Sequence, residues 1–556
     1  MLQPEEQDKY IKAIEERNKH VDLILQSKST KKVVVAGPGT GKTYLFKLLL
    51  ADKKNALTLT FVNSLVEDLS LELYGMSEVR TLHSYARSIL SILTKNEIKI
   101  SPILVNIIKE DASILLNEDV DFNRIFHELD DTNQFFEFYR KRKDYYDYYG
   151  YDDIIYAAVK YFEKFKDKIP VYEQILVDEF QDFNRLEVSL IDLLAEKSPV
   201  LLAGDDDQAL YDFKSASTQF IRDRNDGKMP EYESFNLPYC SRCTRVLVDA
   251  ANDIINEAKG SGYLSGRIDK PYIYFEDKKK NHDCDKFPLI SYAQIFATQI
   301  PWYIEKKIKE MALHNRNNFS VLIISPFKKQ SQDIAGSLKE KGLQNIDIVN
   351  RSEFEMSLLD GIKLLLENKD DNLGWRIVAK FILDKDGFNT LLKESDSDTT
   401  KKIPELLSKN HKDEIKKILK VLKYIKEEKL IVKEDLDNIM AQLEIDSYGM
   451  VKEYLKNEMT TTNLHAGDPG IRKIPIKSTT IQSSKGLAAD LVFITHFDDR
   501  YFIKDKDKTK ITDNDICNFL VALTRTKRKL YLISSVAEEP TFLKWIKKER
   551  FEIITS

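Results

Sequence analysis

The sequence is poor in cysteine, in glycine and proline, and in any excess of basic charge. Four cysteines, 19 glycines and 15 prolines in 556 residues argue against a disulfide-stapled domain and against a fibrous chain. Lysine and arginine total 85 against 90 aspartates and glutamates, which gives a formal charge of −5. A nucleic-acid coat protein with a basic body is therefore not expected, although a local basic groove is compatible with this balance.

Long apolar runs are absent as well. No segment approaches the roughly 18 uninterrupted apolar residues of a membrane helix. The first residues, MLQPEEQDKY, lack the apolar stretch of a secretory signal. We therefore expect a cytoplasmic protein without a membrane partner, and the length allows roughly three to five domains.

Short apolar runs typical of buried strands alternate with helical stretches. The candidate strands are Val33–Ala36, Ala56–Phe61, Gln174–Val177, Val200–Ala203, Val321–Ile324, Leu491–Thr495 and Leu530–Ser534. Such alternation predicts parallel sheets of α/β type, and the long helical intervals favour two cores over one. The segments 92–164 and 375–454 are expected to be mainly helical.

A glycine-rich turn stands between the first candidate strand and a helix. It consists of Ala36, Gly37, Pro38, Gly39, Thr40, Gly41, Lys42 and Thr43. The backbone N–H groups of such a loop cradle phosphates, while Lys42 would reach the β- and γ-phosphates and the Thr43 hydroxyl would bind Mg²⁺. The turn therefore predicts ATP and Mg²⁺ as cofactors.

Two further strands end in polar residues suited to ATP hydrolysis. Asp178 and Glu179 follow one strand, and a metal ligand beside a group that orients water is what hydrolysis requires. Gln208 follows the other strand and could hydrogen-bond the γ-phosphate. The alternative is a solvated acidic turn in each place.

The sequence resembles superfamily 1 helicases of the UvrD/Rep/PcrA type from residue 36 to residue 530. Besides the AGPGTGKT loop, the matching elements are Thr60–Asn63, Thr81–Ser84, Tyr151–Ile155, Asp178–Asp182, Gly204–Gln208, Arg242 with Ala250–Asn252, Gln482–Leu487, and Val521–Arg525 followed by Lys529 and Leu530. The order of these elements carries the resemblance, because each one alone is a weak signal.

The resemblance implies an α/β fold with two RecA-like parallel-sheet cores, each with a mainly helical insertion domain. The expected domains are a first core (1–90 and 155–235), a helical insertion (91–154), a second core (236–374 and 470–556) and a reduced helical accessory domain (375–469). The chain is short for the family, and no C-terminal nuclease is expected.

The family pattern also implies roles for individual residues. Lys42, Asp178, Glu179, Gln208, Arg242 and Arg525 would be catalytic, with Thr43 and Asp178 as metal ligands and the two arginines acting as arginine fingers. Nucleotide contacts would come from residues 36–43 together with Gln7, Tyr239 and Gly486. DNA contacts would come from Phe61, Asn63, Thr81, His83, Tyr211, Phe213 and Ser483; without the resemblance, core packing would be the simpler reading of the two phenylalanines.

Three departures from the family pattern affect nucleotide binding. Ser241 stands where the family has an adenine-stacking tyrosine, so this role is open or falls to Tyr239. Gln482 replaces a histidine and Ala488 a glutamate that normally lies near the ribose. The glutamine that reads adenine is either Gln7 or Gln3.

Two functions share this fold and this ATP site. The first is an ATP-dependent helicase or translocase on single-stranded DNA, of 3′–5′ polarity by resemblance, which acts on single-stranded or tailed DNA. The alternative is a DNA-stimulated ATPase switch subunit of a repair or phage-defence complex, with a nuclease or another subunit as partner. A P-loop kinase would leave the second-half motifs unexplained.

Two other patterns have open interpretations. Cys240 and Cys243, with His282 and Cys284, form a weak candidate for zinc, against ordinary buried thiols. The segment Tyr139–Tyr151 alternates basic residues with tyrosines, which suits either nucleic-acid contact or a solvated loop or partner surface.

Overall fold

A computed structural model describes most of the chain, which divides into two compact units. The described residues are 4–61, 63–209, 216–315, 319–343, 345–349, 356–426, 474–505 and 510–554. The first unit comprises Met1–Tyr85, Val159–Ser352 and Pro469–Ser556, and the second comprises Ala86–Ala158 and Glu353–Asp468. Within these described ranges, no helix is long and apolar enough to cross a membrane.

The first unit contains a six-stranded sheet built from the first half of the chain. Its strands are β1 (Lys31–Ala36), β2 (Ala56–Thr60), β3 (Glu78–Thr81), β4 (Gln174–Val177), β5 (Val200–Gly204) and β6 (Glu233–Leu237). All neighbours are parallel, in the order β3-β2-β4-β5-β1-β6. Strands β2, β4 and β5 and the second part of β1 are buried because helices cover both faces of the sheet.

A second, seven-stranded parallel sheet lies in the same unit. After the short pair β7 (Tyr239–Cys240) and β8 (Ile273–Tyr274), its strands are β9 (Ile290–Gln294), β10 (Val321–Ser325), β11 (Ile346–Val349), β12 (Ile476–Thr480), β13 (Ala489–Ile494), β14 (Thr526–Ser534) and β15 (Phe551–Ile554). They are arranged in the order β11-β12-β10-β13-β14-β9-β15. Apolar clusters lie on both faces of this sheet.

Helices connect these strands and cover the two sheets. In the first unit they are Pro4–Gln26, Lys42–Leu50, Asn63–Glu72, Arg185–Ala195, Gln219–Asn225, Arg245–Gly260, Lys278–Lys286, Ile300–Asn315, Lys328–Glu340, Asp499–Phe502, Asp513–Thr524 and Thr541–Trp545. The helices Leu82–Thr94 and Tyr151–Lys164 run from one unit into the other. This arrangement confirms the predicted fold class, and all seven candidate strands are present.

The second unit is helical in its described part. Its helices are Leu104–Leu115, Phe122–His127, Phe136–Tyr146, Leu358–Glu367, Asn372–Ile382, Lys385–Ser397, Ile403–Leu406 and Lys409–Lys426. Chain connectivity places the first group between β3 and β4 and the second between β11 and β12, as insertions into the two sheets. The finer division into four domains stays a prediction, and residues 427–473 lie outside the described part.

A buried ion cluster joins the two insertions inside the second unit. The Asp111 carboxylate accepts from Arg142 at 2.9 Å, from Arg376 at 2.7 Å and from the Tyr146 hydroxyl at 2.6 Å. Asp111 and Arg376 are both fully buried. Burial alone would raise the pKa of Asp111, but the two arginines hold it below its ordinary value.

This cluster accounts for the burial of part of the segment Tyr139–Tyr151, whose exposed residues keep both interpretations open. Tyr139, Arg142 and Tyr146 are 1–2% exposed, so they pack inside the second unit and are not available to nucleic acid or solvent. Arginine and tyrosine side chains combine a long apolar body with a polar tip, so composition alone did not reveal that they are buried. Arg140 remains exposed on the same helix.

Candidate active site

The glycine-rich turn of residues 36–43, a phosphate-binding loop or P-loop, folds as the sequence predicts. Strand β1 ends in buried Ala36, and the helix Lys42–Leu50 begins directly after the turn. Gly39 and Gly41 adopt φ angles of 74° and 100°, where a β-carbon would be strained. The Thr40 hydroxyl donates to the Gly37 carbonyl at 2.9 Å, which fixes the loop. The N–H groups at the start of the helix are thereby presented to an anion.

Lys42 meets both acidic residues that follow β4. Its Nζ lies 2.9 Å from Glu179 Oε1 and 3.6 Å from Asp178 Oδ1. Burial alone would lower the pKa of Lys42, but the two carboxylates raise it above its ordinary value. In Asp178 burial dominates and raises the pKa of the carboxyl group. The three predicted residues therefore form one contact group.

Glu179 stands in a constrained backbone position. Its φ of 54° is left-handed, a conformation that costs a non-glycine residue free energy and is kept only where the surrounding structure holds it. Its Oε2 accepts from Gln181 at 2.7 Å. Although burial would raise its pKa, the charges of Lys42 and Lys485 hold the pKa of Glu179 below its ordinary value. The carboxylate is therefore ionised and can accept a proton or a hydrogen bond from water.

Gln208 joins the two sheets. Its Oε1 accepts from Arg525 Nη2 at 2.8 Å, and its backbone carbonyl accepts from Lys485 Nζ at 2.7 Å. Arg525 is 3% exposed, and burial together with the nearby charge of Arg242 lowers its pKa to about 10. Lys485 also contacts Asp182 Oδ2 at 2.5 Å. Groups from the second sheet therefore reach the polar edge of the first.

Arg242 lies in a turn packed against the P-loop. A β-carbon built on Gly39 would overlap the β-carbon of Arg242, so only glycine fits there. The Ser241 N–H donates to the Gly39 carbonyl at 2.9 Å. The Tyr272 hydroxyl donates to the Pro38 carbonyl at 3.0 Å. The predicted arginine is thus positioned beside the phosphate loop.

The residues present fit a divalent cation. Asp178 Oδ1 is buried and has no hydrogen-bond partner among the described residues, and Thr43, in the P-loop, is only partly buried. A hydroxyl and a carboxylate oxygen are ligands that Mg²⁺ accepts. Elsewhere in the described ranges, the one group of three metal-ligand side chains is Asp205, Asp206 and Asp207, so the cysteines do not form a zinc site there.

The three aspartates of that group already form ion pairs with basic side chains from the second half of the chain. Lys270 Nζ lies 2.9 Å from Asp205 and 3.0 Å from Asp207, and it also contacts Asp206. Arg267 binds both carboxylate oxygens of Asp207 at 2.7 and 2.8 Å. We call this ion-pair cluster the aspartate clamp. It holds the segment before β8 against the end of β5.

The predicted DNA-binding residues cluster at one edge of the first sheet where they are described. Phe61 follows β2 and packs edge to face on Phe183, with 5.6 Å between ring centroids. Thr81 ends the neighbouring strand β3, opposite Thr60, and His83 lies two residues further on. Phe61 and His83 are both partly exposed. Ser483 lies in the second half, in the turn after β12.

Other predicted residues are only partly described or fall outside the description. Gln7 and Asn63 lie in helices whose side chains at these positions are not described, and Tyr211 and Phe213 lie outside the described residues. Tyr239 stands in β7 and its hydroxyl donates to Glu16 at 3.0 Å. Gly486 follows Lys485 and has a φ of 86°.

Lys485 and the aspartate clamp were not identified from the sequence. Lys485 lies within the Gln482–Leu487 element. The presence of a lysine in that element was the one available signal for a role at the phosphates. The clamp had no such signal, because Lys270 and Arg267 lie about 60 residues from their partners and outside every motif.

Comparison with known proteins gives one family. The family described as "UvrD/REP helicase N-terminal domain" matches residues 104–227. Proteins described as ATP-dependent DNA helicase PcrA, from Staphylococcus aureus and Staphylococcus epidermidis, are each 28% identical over 176 residues. The similar region is 30% of this chain and 23% of each relative, so it spans about a quarter of the length of the relatives it matches.

Proposed function

Because the chain belongs to the UvrD/Rep/PcrA-like superfamily 1 helicases, we propose that it is an ATP-dependent translocase on single-stranded DNA that unwinds duplexes. One observation carries the proposal. Lys42, Glu179 and Gln208 from the first sheet lie in one contact network with Lys485 and Arg525 from the second. A nucleotide bound on the P-loop would therefore have charged groups of both sheets around its phosphates.

The chain's own residues suffice for the binding and orienting steps of hydrolysis. The P-loop N–H groups and Lys42 hold the phosphates, and the ionised Glu179 orients the attacking water and accepts its proton. Arg242, Arg525 and Lys485 stabilise negative charge that develops on the γ-phosphate. Thr43 and Asp178 would hold Mg²⁺, which neutralises phosphate charge when bound.

Coupling to movement follows from the shared site. ATP favours contact between the two sheets because its γ-phosphate attracts cations from the second one. Hydrolysis and phosphate release remove that attraction, so the sheets separate. Gln208 contacts Arg525 and Lys485 of the second sheet, so its surroundings change when the sheets separate. Repeated closing and opening along a bound strand would produce translocation, for which we propose 3′–5′ polarity.

The DNA strand would lie on the edge formed by Phe61, Thr81 and His83. Base stacking on an aromatic ring contributes about 1–3 kcal/mol per base and tolerates any sequence. Binding at this edge needs only local cations, so it is compatible with the formal charge of −5. We propose single-stranded or tailed DNA as substrate and the cytoplasm as location.

The test is an ATPase titration with single-stranded DNA, single-stranded RNA and duplex, followed by unwinding of 3′- and 5′-tailed duplexes. We expect stimulation by single-stranded DNA and separation of the 3′-tailed substrate. Lys42→Ala is the inactive control. Absence of DNA-stimulated ATPase, or full activity in Lys42→Ala, would refute the proposal.

The aspartate clamp favours a second candidate. It joins the two halves of the chain through buried ion pairs that need no nucleotide. A protein whose closed form is stable on its own suits an ATPase switch subunit of a repair or phage-defence complex, with a nuclease or other subunit as partner. Robust unwinding of tailed duplexes by the isolated chain would count against this candidate.

A further inference from the structure

Two cysteine thiols lie in contact in the turn that carries Arg242. Cys240 ends strand β7, and Cys243 comes two residues before the helix Arg245–Gly260. The two thiols hydrogen-bond each other, and they are 0% and 1% exposed. The folded chain therefore brings two sulfur atoms together on either side of an arginine with a proposed catalytic role. We call Cys240 and Cys243 the thiol pair.

The thiol pair contacts the P-loop through Tyr272. The Tyr272 hydroxyl lies 3.2 Å from Cys240 Sγ and 4.0 Å from Cys243 Sγ. The same hydroxyl lies 3.0 Å from the Pro38 carbonyl oxygen, and the Tyr272 ring leaves no room for a β-carbon at Gly37. One tyrosine thus connects both sulfurs with the backbone that holds the phosphates.

The thiol pair also lies beside the second predicted arginine. Cys243 Sγ donates to the Thr524 carbonyl at 3.8 Å, and Thr524 directly precedes Arg525. On the other side of the turn, Lys280 Nζ donates to the Arg242 carbonyl. The turn is therefore held in place from several sides, and a change in the bonding of its two sulfurs alters the surroundings of both arginines.

The hydrogen bonds give the two sulfurs different protonation states. Burial alone would raise the pKa of the Cys240 thiol, but hydrogen bonds from Cys243 and Tyr272 lower it to about 6. The hydrogen bond to Cys240, together with burial, raises the pKa of Cys243. Cys240 is therefore mainly a thiolate at neutral pH, which is the nucleophilic form, and Cys243 is a thiol.

We propose that the thiol pair is a redox modification site of the ATP site, where a peroxide converts Cys240 and Cys243 into a disulfide and thereby slows ATP hydrolysis. The Cys240 sulfur attacks one peroxide oxygen, the O–O bond breaks, and the leaving hydroxide takes up a proton to become water. The Cys243 sulfur then attacks the sulfenic acid on Cys240 and releases a second water. Two thiols and one hydrogen peroxide thus give one disulfide and two waters. The proposal rests on the proposed ATPase function and adds its regulation.

The surroundings of the thiol pair suit a small oxidant. A cavity of about 20 Å³ is lined by Pro38, Tyr272 and Thr524, which are the residues beside the two sulfurs. A cavity of this size holds a molecule about as large as water and is too small for a bulky disulfide reagent. In a reducing cytoplasm such a disulfide forms transiently, as redox-sensing disulfides do.

A disulfide in this turn displaces Arg242. The S–S bond is about 2.05 Å long, much shorter than the contact between two hydrogen-bonded thiols, so the turn must tighten. Cys243 also loses the hydrogen that it donates to Thr524. Because a displacement of about 1 Å in a catalytic group can cost about 10² in rate, we expect kcat to fall about 10²-fold. The affinity for ADP should change far less, since Lys42 and the P-loop still hold the phosphates.

Titration of the reduced protein with hydrogen peroxide tests the proposal with two separate readouts. Digestion at lysine leaves residues 229–259 as one peptide, in which a disulfide lowers the mass by two hydrogen atoms. Single-strand-stimulated ATPase is measured on the same samples, before and after dithiothreitol. We expect the lighter peptide, a fall in kcat of about 10²-fold and recovery of both on reduction.

Four variants complete the experiment, each compared with its own reduced rate. Cys240→Ser and Cys243→Ala cannot form the disulfide, so peroxide should leave their ATPase unchanged; two variants are used because both positions are buried. Cys284→Ala removes the one cysteine of the four that is partly exposed, and Cys517→Ala removes another buried one. These two matched controls should keep the full response of wild type.

Three results would overturn the proposal. Peroxide could oxidise Cys284 and leave the thiol pair reduced. The disulfide could form without any change in kcat. Peroxide could inactivate Cys243→Ala as strongly as wild type, which would assign the effect to other residues. Absence of DNA-stimulated ATPase in the reduced wild-type protein would instead refute the proposed function, while the peptide mass still reports on the disulfide, so the two failures are distinguishable.

Discussion

Replacing Lys485 by methionine tests how the second sheet takes part in the ATP site. The Lys485 ammonium contacts Asp182 at 2.5 Å, the Gln208 carbonyl at 2.7 Å and Glu179 at 3.6 Å, and its side chain is 2% exposed. The methionine side chain keeps a similar length and apolar body but removes the charge. Every contact that the ammonium makes to the first sheet is lost.

Two effects of different size follow. Breaking a buried ion pair on one side leaves Asp182, 1% exposed, without this cation, which costs about 3–5 kcal/mol of folding free energy. Removing a positive group from the developing phosphate charge lowers kcat by roughly 10²–10³. If both effects occur, Lys485 supports the closed structure and also the reaction.

The double variant Lys485→Met/Asp182→Leu separates the two effects. Replacing both members of a buried pair by apolar residues is often neutral for stability. We expect denaturant unfolding to return close to wild type, while single-strand-stimulated ATPase stays low. Steady-state ATPase and urea unfolding of wild type, single variant and double variant form the complete set.

Two results would contradict a direct role of Lys485 at the phosphates. If Lys485→Met alone kept ATPase within twofold of wild type, the lysine would have no part in phosphate chemistry. If the double variant regained ATPase together with stability, the lysine would act through folding alone.

Three other perturbations have defined outcomes. Arg376→Ala should lower the free energy of unfolding by about 3–5 kcal/mol, because it leaves the buried Asp111 carboxylate underpaired. The exposed Arg140→Ala should change this free energy far less. Urea unfolding compares the two variants, and equal effects would contradict the buried cluster. Because the pKa of Glu179 is depressed in the folded protein, its carboxylate contributes stability that is full above the unfolded pKa of about 4.3 and is lost as pH falls below that value. The difference in unfolding free energy between wild type and Glu179→Gln should therefore shrink between pH 6 and pH 3. A difference that stays constant with pH would contradict the depressed pKa. Phe61→Ala should weaken the binding of single-stranded DNA by about 1–3 kcal/mol, measured by fluorescence anisotropy. The control Phe165→Ala, which also removes a partly exposed ring, should leave the affinity unchanged. An unchanged affinity in Phe61→Ala would exclude base stacking on Phe61.

The sequence predicts the strands whose residues are nearly all apolar. Runs such as Val33–Ala36 and Val321–Ile324 are buried on both faces, so their composition alone is decisive. Strands β6 and β12 were not predicted, because their sequences, ESFNL and IKSTT, contain polar residues between the apolar ones. Their place in the sheet depends on neighbours far along the chain, which local patterns do not contain.

The site shows the same division. Lys42, Asp178, Glu179 and Gln208 were predictable because each follows a strand, and carboxyl ends of parallel strands converge at one edge of the sheet. Lys270 and Arg267 were not, because their contacts with the aspartates arise only when distant segments meet in the fold. The burial of Arg142 and Tyr146 was not predictable, because their partner Asp111 lies some thirty residues away.

We propose above that both sheets together form one DNA-stimulated ATPase site. Its most direct test is steady-state ATP hydrolysis with saturating single-stranded DNA for wild type, Lys42→Ala and Arg525→Ala, with folding checked by circular dichroism. We expect strong stimulation in wild type and a loss of at least about 10³-fold for Arg525→Ala, the size expected of an arginine finger. DNA-stimulated hydrolysis at the wild-type rate in Arg525→Ala would contradict it.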